Sequence, residues 1–550
     1  MSKSFLLPVF LCLIAVPAYA QDKNDAAPKK PAAAKEQKAA PAEESDAAPA
    51  SDEKSPEKSN IDWVDVESTG TLSSAKEGAL EKTIWKEQPR SLIELLIAKL
   101  PTNPNLRSVL SLQRRVLLSK TDASLIQNDV GVLRGNDLLI QRINKLMDMG
   151  LYDDAWELYT KRADTVYDVS IAQMGMMLLV MKNDLATACL EEKVFSAKYP
   201  KDKFFATLDK ACVQTLGGSA APKFPDSAVL DAVYNKPDYS VSAKDTGALT
   251  KMSDLERALV LANGKIRYDG VGADNIASTP AVLLTYFLMD KKLPDATKAL
   301  IKAEADKRGL TWYTPSIARD EEWAKAKAIK DVPSQWPYVE SALKGSLNSA
   351  DIGIYYGEML AAAKPENLST DTLEKALNVF LASGKALPEF WLNAAQKAAP
   401  QNPLFYIYLQ AFGSLTPTQG ATPKVGEFQN AAKSLKSADF DQILAIIESL
   451  DKQAAILNNP LIVYEKHLSL TEHGDYVMPT VGLNVLLETA PERKQIGITV
   501  LAVLNSLAAK PDNMYSGTVR KSLYSMLNVG LIEDAKLIGA ETVASVLNRY

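Results

Sequence analysis

Apolar residues recur along this chain every three or four positions, which is the spacing of α-helices that bury one face. One such stripe, at positions i, i+4, i+7 and i+8, is formed by Leu139, Ile143, Leu146 and Met147. Another predicted helix runs from Ser91, a residue type that caps helix starts, to Leu100, just before Pro101. No stretch of the sequence shows the sustained apolar-polar alternation of strands. The pattern predicts an all-α fold.

Two short stretches far apart in the chain are near copies, and each follows an apolar helical segment. They are Gly150-Leu151-Tyr152-Asp153-Asp154-Ala155 and Gly530-Leu531-Ile532-Glu533-Asp534-Ala535. The glycine suits the left-handed conformation that ends a helix, the acidic pair suits the start of the next helix, and the alanine allows close helix packing. The predicted turn residues are therefore Gly150, Asp153, Asp154, Ala155, Gly530, Glu533, Asp534 and Ala535. Each copy predicts the turn of a helix hairpin, the first spanning about residues 137–162.

Weaker versions of this turn occur between the two copies. Lys182-Asn183-Asp184 stands 33 residues after Gly150 (183 − 150), close to the roughly 34-residue period of tetratricopeptide repeats. Further candidates begin at Lys291, Gly384 and Pro400. Because the spacing between them is irregular, the sequence predicts divergent helix-hairpin repeats that form an α-solenoid of the tetratricopeptide kind.

The first twenty residues have the features of a secretory signal peptide. Lys3 precedes an apolar run from Phe5 to Val16, and small residues stand before Gln21. Cleavage is expected after Ala20. No later stretch reaches the roughly twenty apolar residues that a membrane span requires. We therefore expect an exported, periplasmic protein without an integral membrane segment after signal cleavage.

Composition divides the remaining chain into a tether and three helical sections. Residues 21–60 are nearly all Ala, Pro, Lys, Glu, Asp and Ser, which predicts a disordered segment. It is either a spacer that holds the folded part at a distance or a passive tail. The stretch from about Gly217 to Asp245 is rich in Gly, Pro, Ser and Asp and is predicted to be a long connection. The predicted helical sections are 61–217, 246–412 and 427–550.

Cys189 and Cys212 are the only cysteines outside the signal peptide. Their midpoint, (189 + 212)/2 = 200.5, falls beside Pro200 in a predicted turn between two antiparallel helices. The two cysteines should therefore lie abreast, and an exported protein keeps disulfides. We predict a Cys189–Cys212 disulfide, with two buried free thiols as the alternative.

The sequence predicts no catalytic, metal or cofactor site. The two histidines, His467 and His473, are six residues apart, which places them on different faces of a helix, and no H-E-x-x-H motif is present. No G-x-S-x-G elbow or phosphate-binding glycine loop is found. A formal net charge of −5, with basic and acidic residues mixed along the chain, argues against nucleic acid as a partner.

One segment is similar to the start of a catalytic motif. Val339-Glu340-Ser341-Ala342 resembles that of lytic transglycosylases, in which Glu340 would be the general acid. The family continues with a glycine-leucine-methionine-glutamine segment, whereas Asp351 to Tyr356 stands in its place here. The alternative is that Glu340 is an ordinary exposed helix carboxylate.

Tryptophans offer a separate set of candidates for binding. Four tryptophans could either anchor a partner in a groove or belong to the core: Trp156, Trp312, Trp336 and Trp391. A tryptophan at helical spacing is more often part of the core.

Taken together, the signal peptide, the tether, the cysteine pair and the two turn copies resemble secreted helical-repeat proteins of Gram-negative, especially alphaproteobacterial, bacteria. They are also similar to tetratricopeptide proteins generally. This resemblance implies a concave groove that binds a peptide or a partner helix. We expect a non-enzymatic periplasmic scaffold or adapter for envelope proteins or peptides. The alternatives are a peptidoglycan hydrolase of the lytic-transglycosylase kind, an accessory of such an enzyme, and a structural spacer.

Overall fold

The computed structural model describes residues 66–131, 137–161, 168–218, 221–308, 320–345, 347–451, 478–508 and 514–550. Within these residues the chain forms 26 α-helices, three short 3-10 helices and one pair of two-residue strands. The predicted all-α fold class is therefore confirmed. The arrangement of the helices as a repeat solenoid stays a prediction.

The helices are numbered in chain order. The first thirteen are α1 (Arg90–Ala98), α2 (Arg107–Leu118), α3 (Asp137–Asp148), α4 (Tyr152–Thr160), α5 (Val169–Met181), α6 (Leu185–Lys198), α7 (Lys203–Thr215), α8 (Ala228–Asn235), α9 (Thr246–Lys251), α10 (Asp254–Ala262), α11 (Ala273–Ser278), α12 (Ala281–Met289) and α13 (Asp295–Arg308). The others are α14 (Asp320–Ala328), α15 (Val332–Lys344), α16 (Ser349–Tyr355), α17 (Gly357–Ala362), α18 (Thr370–Ala382), α19 (Glu389–Ala398), α20 (Leu404–Leu415), α21 (Val425–Ala431), α22 (Ser437–Leu450), α23 (Val481–Glu492), α24 (Ile496–Ser506), α25 (Ser516–Asn528) and α26 (Ile532–Leu547). The 3-10 helices are Ala75–Glu77, Ala123–Leu125 and Ala432–Ser434.

Aspartates cap three consecutive helices, α5, α6 and α7, at their starts. Asp168 accepts hydrogen bonds from the backbone N–H groups of Ser170 and Ile171, at 2.8 and 3.1 Å. Asp184 and Asp202 do the same for α6 and α7. Each carboxylate satisfies N–H groups that have no partner within the helix and lies at the positive end of the helix dipole. Local sequence therefore determines where these helices begin.

Helix α1 differs from its predicted start. Ser91 is predicted as the cap, but the helix begins at Arg90 after Pro89. The backbone N–H of Ser91 instead donates to the Asp129 carboxylate at 2.9 Å, and its hydroxyl also contacts Asp129. The predicted capping role of Ser91 is therefore wrong, because a carboxylate 38 residues away satisfies the start of this helix.

The first described helices pack against the last ones. Helix α1 packs on α24, and α2 packs on α26. Helix α26 also contacts α18, α20, α22 and α25. It is buried on most of its surface, with Ile538, Val543 and Val546 at 1% exposure or less. The core around α26 thus joins segments from the beginning, middle and end of one compact unit that spans residues 60–550.

The stretch predicted to be a long connection, from about Gly217 to Asp245, contains helix α8 and strand β1 (Val241–Ser242). Ser227 caps α8 by accepting a hydrogen bond from the backbone N–H of Leu230. Strand β1 pairs in parallel with β2 (Ile266–Arg267), which follows α10. Sequence patterns did not reveal these strands because two residues are too few to show alternation.

The two cysteines lie side by side on α6 and α7. Their Sγ atoms are at disulfide distance and their Cα atoms are 5.4 Å apart. Both side chains are fully buried in the contact between the two helices. The hairpin around Pro200 therefore brings the cysteines abreast, as their symmetric spacing predicts.

None of the helices in the described ranges is both long enough and apolar enough to cross a lipid bilayer.

Replacement of Gly530 by alanine should lower the free energy of unfolding by about 1 kcal/mol. Gly530 has a φ of 86°, and an added Cβ would meet no atom within 4 Å, so the cost comes from backbone conformation alone. Urea unfolding measures the effect. Gly426→Ala in α21 is the matched control, because its Cβ also meets nothing but its φ is not positive. The control should be neutral or stabilising by up to about 1 kcal/mol, and equal effects at both positions would contradict the assignment.

Removal of the cysteine pair with Cys189→Ala/Cys212→Ala should destabilise the protein by about 3 kcal/mol, because the bridge closes a loop with a sequence separation of 23 residues. Urea unfolding with and without reductant measures this. Reductant should destabilise the parent protein and leave the double variant unchanged. If reductant has no effect on the parent protein, the cysteines are free thiols.

Candidate functional site

Three of the predicted turns, those near Gly150, Asn183 and Lys291, line a common cavity, and the first two have the left-handed conformation that the turns at Gly384 and Gly530 also adopt. Gly150, between α3 and α4, has a φ of 73°, and Asn183, between α5 and α6, has a φ of 67°. Asparagine is among the few residues other than glycine that adopt this conformation readily. The third turn follows α12 at Asp290, whose carboxylate accepts a hydrogen bond from the backbone N–H of Lys292 at 2.8 Å.

These three turns line one cavity of about 420 Å³. Gly150, Tyr152 and Asp153 come from the first turn, Met181, Lys182 and Asn183 from the second, and Leu288, Met289 and Lys291 from the third. Lys182 links the first two turns by donating to Asp153 at 2.5 Å. Three of the turns that the sequence marks as related are therefore neighbours in the folded protein.

A second cavity of about 240 Å³ adjoins the first and shares Gly150, Tyr152 and Thr285 with it. Met147 and Val282 add apolar side chains to its wall. We call the two cavities together the turn groove.

The floor of the turn groove is apolar and rich in methionine. Tyr152 and Met181 are 9% and 1% exposed, and Met147 and Met289 are partly buried. Methionine side chains are unbranched and adapt to apolar groups of different shape. Burial raises the pKa of Tyr152 above its ordinary value, so its hydroxyl stays neutral. The floor therefore suits apolar side chains.

The rim of the turn groove carries charges of both signs. Asp153 is 94% exposed and Lys182 is 34% exposed, so their ion pair lies in solvent and contributes little to stability. Lys291 has no hydrogen-bond or ion-pair partner among the described residues. The rim can therefore exchange its own contacts for contacts to a partner.

The second acidic residue of each near-identical turn binds helix α2. Arg114 donates two hydrogen bonds to Asp154, at 2.6 and 2.7 Å. The next residue, Arg115, pairs with Asp534. These aspartates are 380 positions apart (534 − 154) and occupy the same place in the two turns. Ala155 and Ala535, one position later, are both fully buried. The two turn copies thus contact adjacent arginines of one helix.

The start of α2 carries a buried ionic cluster that no sequence pattern indicates. Arg107 donates from Nε and Nη2 to the two Asp351 oxygens, both at 2.5 Å, and the Asp351 side chain is fully buried. Glu541 of α26 accepts from the backbone N–H groups of Arg107 and Ser108, each at 2.7 Å, and from the Ser108 hydroxyl at 2.6 Å. Glu541 therefore caps α2 from another helix.

Burial raises the pKa of Glu541 above its ordinary value. The hydrogen bonds from Ser108 and from the backbone of Arg107 act in the opposite direction, because they favour the charged carboxylate. Burial of the Glu541 carboxylate therefore costs desolvation free energy, and hydrogen bonds to both of its oxygens compensate for that cost.

Glu340, the candidate general acid, lies on α15 and forms an exposed ion pair with Lys344 at 2.7 Å. It lines neither cavity of the turn groove. Asp351, which departs from the transglycosylase motif, is bonded to Arg107. His467 and His473 lie outside the described residues. Within the described part of the chain, no three His, Cys, Asp or Glu side chains form a group able to hold a metal ion.

The tryptophans divide between the core and the surface layer. Trp391 is fully buried, and its indole N–H donates to the backbone oxygen of Leu360 at 3.0 Å. Trp336 is partly buried beside it, with ring centroids 6.3 Å apart. Trp156 stacks on Tyr159 at 5.5 Å, and Trp312 lies outside the described residues. Trp391 therefore belongs to the core.

Comparison with known proteins adds no relative to this picture. No family model matches the chain, and neither the curated proteins nor the solved structures give a match. Function is therefore inferred from the geometry of the turn groove and its surroundings.

Removal of one partner of the buried Arg107–Asp351 pair should cost about 3–5 kcal/mol of unfolding free energy, because the other charge stays buried. We expect this for Arg107→Met and Asp351→Leu separately, and a much smaller loss than their sum for the double variant. A double-mutant cycle in urea measures the coupling. The exposed pair Glu340→Leu/Lys344→Met is the control, with coupling of about 0.5 kcal/mol or less. Additive losses at Arg107 and Asp351 would contradict this account.

Proposed function

We propose that this protein is an exported helical scaffold that binds a partner polypeptide in the turn groove. The observation that carries the proposal is that the Gly150 turn and two weaker versions of it line one cavity with a methionine-rich floor. A groove built from several turns offers contacts from three helix hairpins to one partner. The proposed activity is binding rather than catalysis.

The size and chemistry of the turn groove support a polypeptide as the ligand. Its two cavities, of about 420 and 240 Å³, accommodate bulky side chains that follow one another along a partner. Methionines at the floor accept different apolar shapes, and the charged rim adds polar contacts around them. An apolar centre with a polar rim is the usual anatomy of a protein interface.

The proposed setting is the periplasm of a Gram-negative bacterium. In this proposal, the signal peptide is removed after Ala20, residues 21–60 hold the helical part at a distance, and the hairpins form a divergent repeat solenoid. The buried cysteine pair at disulfide distance and the lack of a spanning helix among the described residues are compatible with export. Envelope proteins or their peptides are the proposed partners.

The variant Val282→Glu/Lys291→Glu tests this proposal. Val282 is 42% exposed and Lys291 is exposed, so neither change should disturb the core. The new charges should lower the amount of each groove-bound partner by about tenfold or more, because an apolar contact is replaced by a carboxylate that must be desolvated. The measurement is quantitative crosslinking and affinity purification of the mature chain from intact periplasm.

The matched control is Ile354→Glu on α16, which places the same charge on a side chain that is 62% exposed and lies outside the turn groove. The control should retain the partners of the parent protein. Thermal unfolding should be the same for all three proteins. If the groove variant and the control retain partners equally, the turn groove is not the binding site.

A further inference from the structure

A separate cavity of about 390 Å³ lies where helices α5, α7, α8 and α10 meet. Its apolar floor is made by Met177, Phe204, Phe224 and Leu255. We call it the phenylalanine cavity. The ring of Phe224 packs on Tyr234 of α8, with centroids 5.1 Å apart, which holds it in place. None of the residues that line this cavity also lines the turn groove.

Three helices begin at the edge of the phenylalanine cavity. Helix α7 starts at Lys203, and the caps of α8 and α10 are Ser227 and Ser253, all of which line the cavity. Each helix start carries a partial positive charge from the aligned peptide dipoles. These starts are already capped, that of α7 by the Asp202 carboxylate, that of α8 by Ser227 and that of α10 by Ser253 with Glu256. Binding of an additional negatively charged group therefore depends on the side chains of the wall.

Two wall carboxylates are already bonded to other groups. Glu256 accepts from the backbone N–H and the hydroxyl of Ser253, at 2.8 and 3.0 Å, and completes the capping box of α10. Asp254 pairs with Arg257, one turn further along the same helix. The negative charge of Glu256 is therefore balanced by the start of α10, and that of Asp254 by the guanidinium group of Arg257.

Two lysines of the wall are not bonded in this way. Lys203 and Lys210 are seven positions apart on one face of α7. Neither ammonium group has a hydrogen-bond or ion-pair partner among the described residues. Asp226 is the lining carboxylate that likewise has none within the described part of the chain. Among the charged side chains of the wall that have no described partner, two are positive and one is negative.

We propose that the phenylalanine cavity binds the carboxyl-terminal residue of a polypeptide whose last side chain is large and apolar. The apolar side chain fills the floor, and the terminal carboxylate binds Lys203 and Lys210. This assignment is independent of the turn groove and its partner.

A chain terminus fits this cavity better than an acidic side chain in the middle of an extended segment. Successive side chains of an extended chain point to opposite faces, so an acidic residue and its apolar neighbour cannot both enter one cavity. A terminal residue carries the carboxylate and the apolar side chain on the same Cα. One residue of this kind also suits a volume of about 390 Å³.

The wall that carries the lysines is held in a fixed position before any ligand arrives. Cys212 of α7 lies at disulfide distance from Cys189 of α6. Phe205, next to Phe204, is fully buried and stacks on Phe195 of α6 with centroids 5.8 Å apart. A preorganised wall lowers the entropic cost of binding.

Fluorescence anisotropy of the mature chain with a fluorescein-labelled peptide tests the proposal. The probe is Gly-Ser-Gly-Ser-Gly-Phe with a free carboxyl terminus, and its comparison peptides are the same sequence amidated at the terminus and the same sequence ending in alanine. We expect saturable binding of the first probe, and affinities lower by about tenfold or more for both comparison peptides. Loss of the charge and loss of the apolar side chain are thereby measured separately.

Lys203→Gln/Lys210→Gln should weaken binding of the free-carboxyl probe by about tenfold and leave binding of the amidated peptide unchanged. Lys236→Gln/Lys397→Gln removes two exposed lysines that do not line the cavity and should leave both affinities unchanged. Thermal unfolding should not differ between these variants, because Lys203 is exposed and Lys210 is only partly buried.

Three results would overturn the proposal. One is the absence of saturable binding of the free-carboxyl probe up to about 1 mM, the weak limit of specific recognition. Another is equal binding of the acid and the amide. The third is equal binding of an amidated peptide that carries an internal aspartate two residues before phenylalanine, on the same face of an extended chain, which would assign the cavity to acidic side chains instead of chain termini.

Discussion

The structure depends on how one helix, α2, is held at its amino-terminal end. Its first backbone N–H groups donate to the buried carboxylate of Glu541, and the side chain of its first residue, Arg107, pairs with buried Asp351. These two carboxylates come from α26 and α16, so one helix start joins three distant segments of the chain. A buried carboxylate without these donors would carry an uncompensated desolvation cost, which makes the arrangement specific for this packing.

The other end of α2 connects the same core to the turns. Arg114 binds Asp154 in the first turn copy, and Arg115 binds Asp534 in the second. The first copy also supplies Gly150 and Tyr152 to the turn groove. The position of the groove therefore follows from the position of α2, because the same hairpin contacts the helix with one acidic residue and the groove with its neighbours. The second copy starts α26, whose later residue Glu541 returns to cap α2.

Local sequence accounts for many of the helices but not for their neighbours. The apolar stripe from Leu139 to Met147 and the cap at Asp184 depend on residues within a few positions of each other, so they are visible in the sequence. Ser91 shows where this fails, because the group that satisfies its backbone is Asp129. Helix α8 and the two-residue strands were missed for a related reason, since their short lengths leave too little pattern and their stability depends on packing.

The sequence by itself determined the helical class of this protein, the turns at Gly150 and Gly530, and the placement of Cys189 beside Cys212. Each of these depends on periodicity, on a backbone preference of one residue, or on symmetric spacing about a turn. Only the tertiary structure decided which turns share a groove, which carboxylates are buried with α2, and which lysines surround the phenylalanine cavity. Those relations join residues tens to hundreds of positions apart, and hydrophobic patterning says that a face is buried without saying which other face covers it.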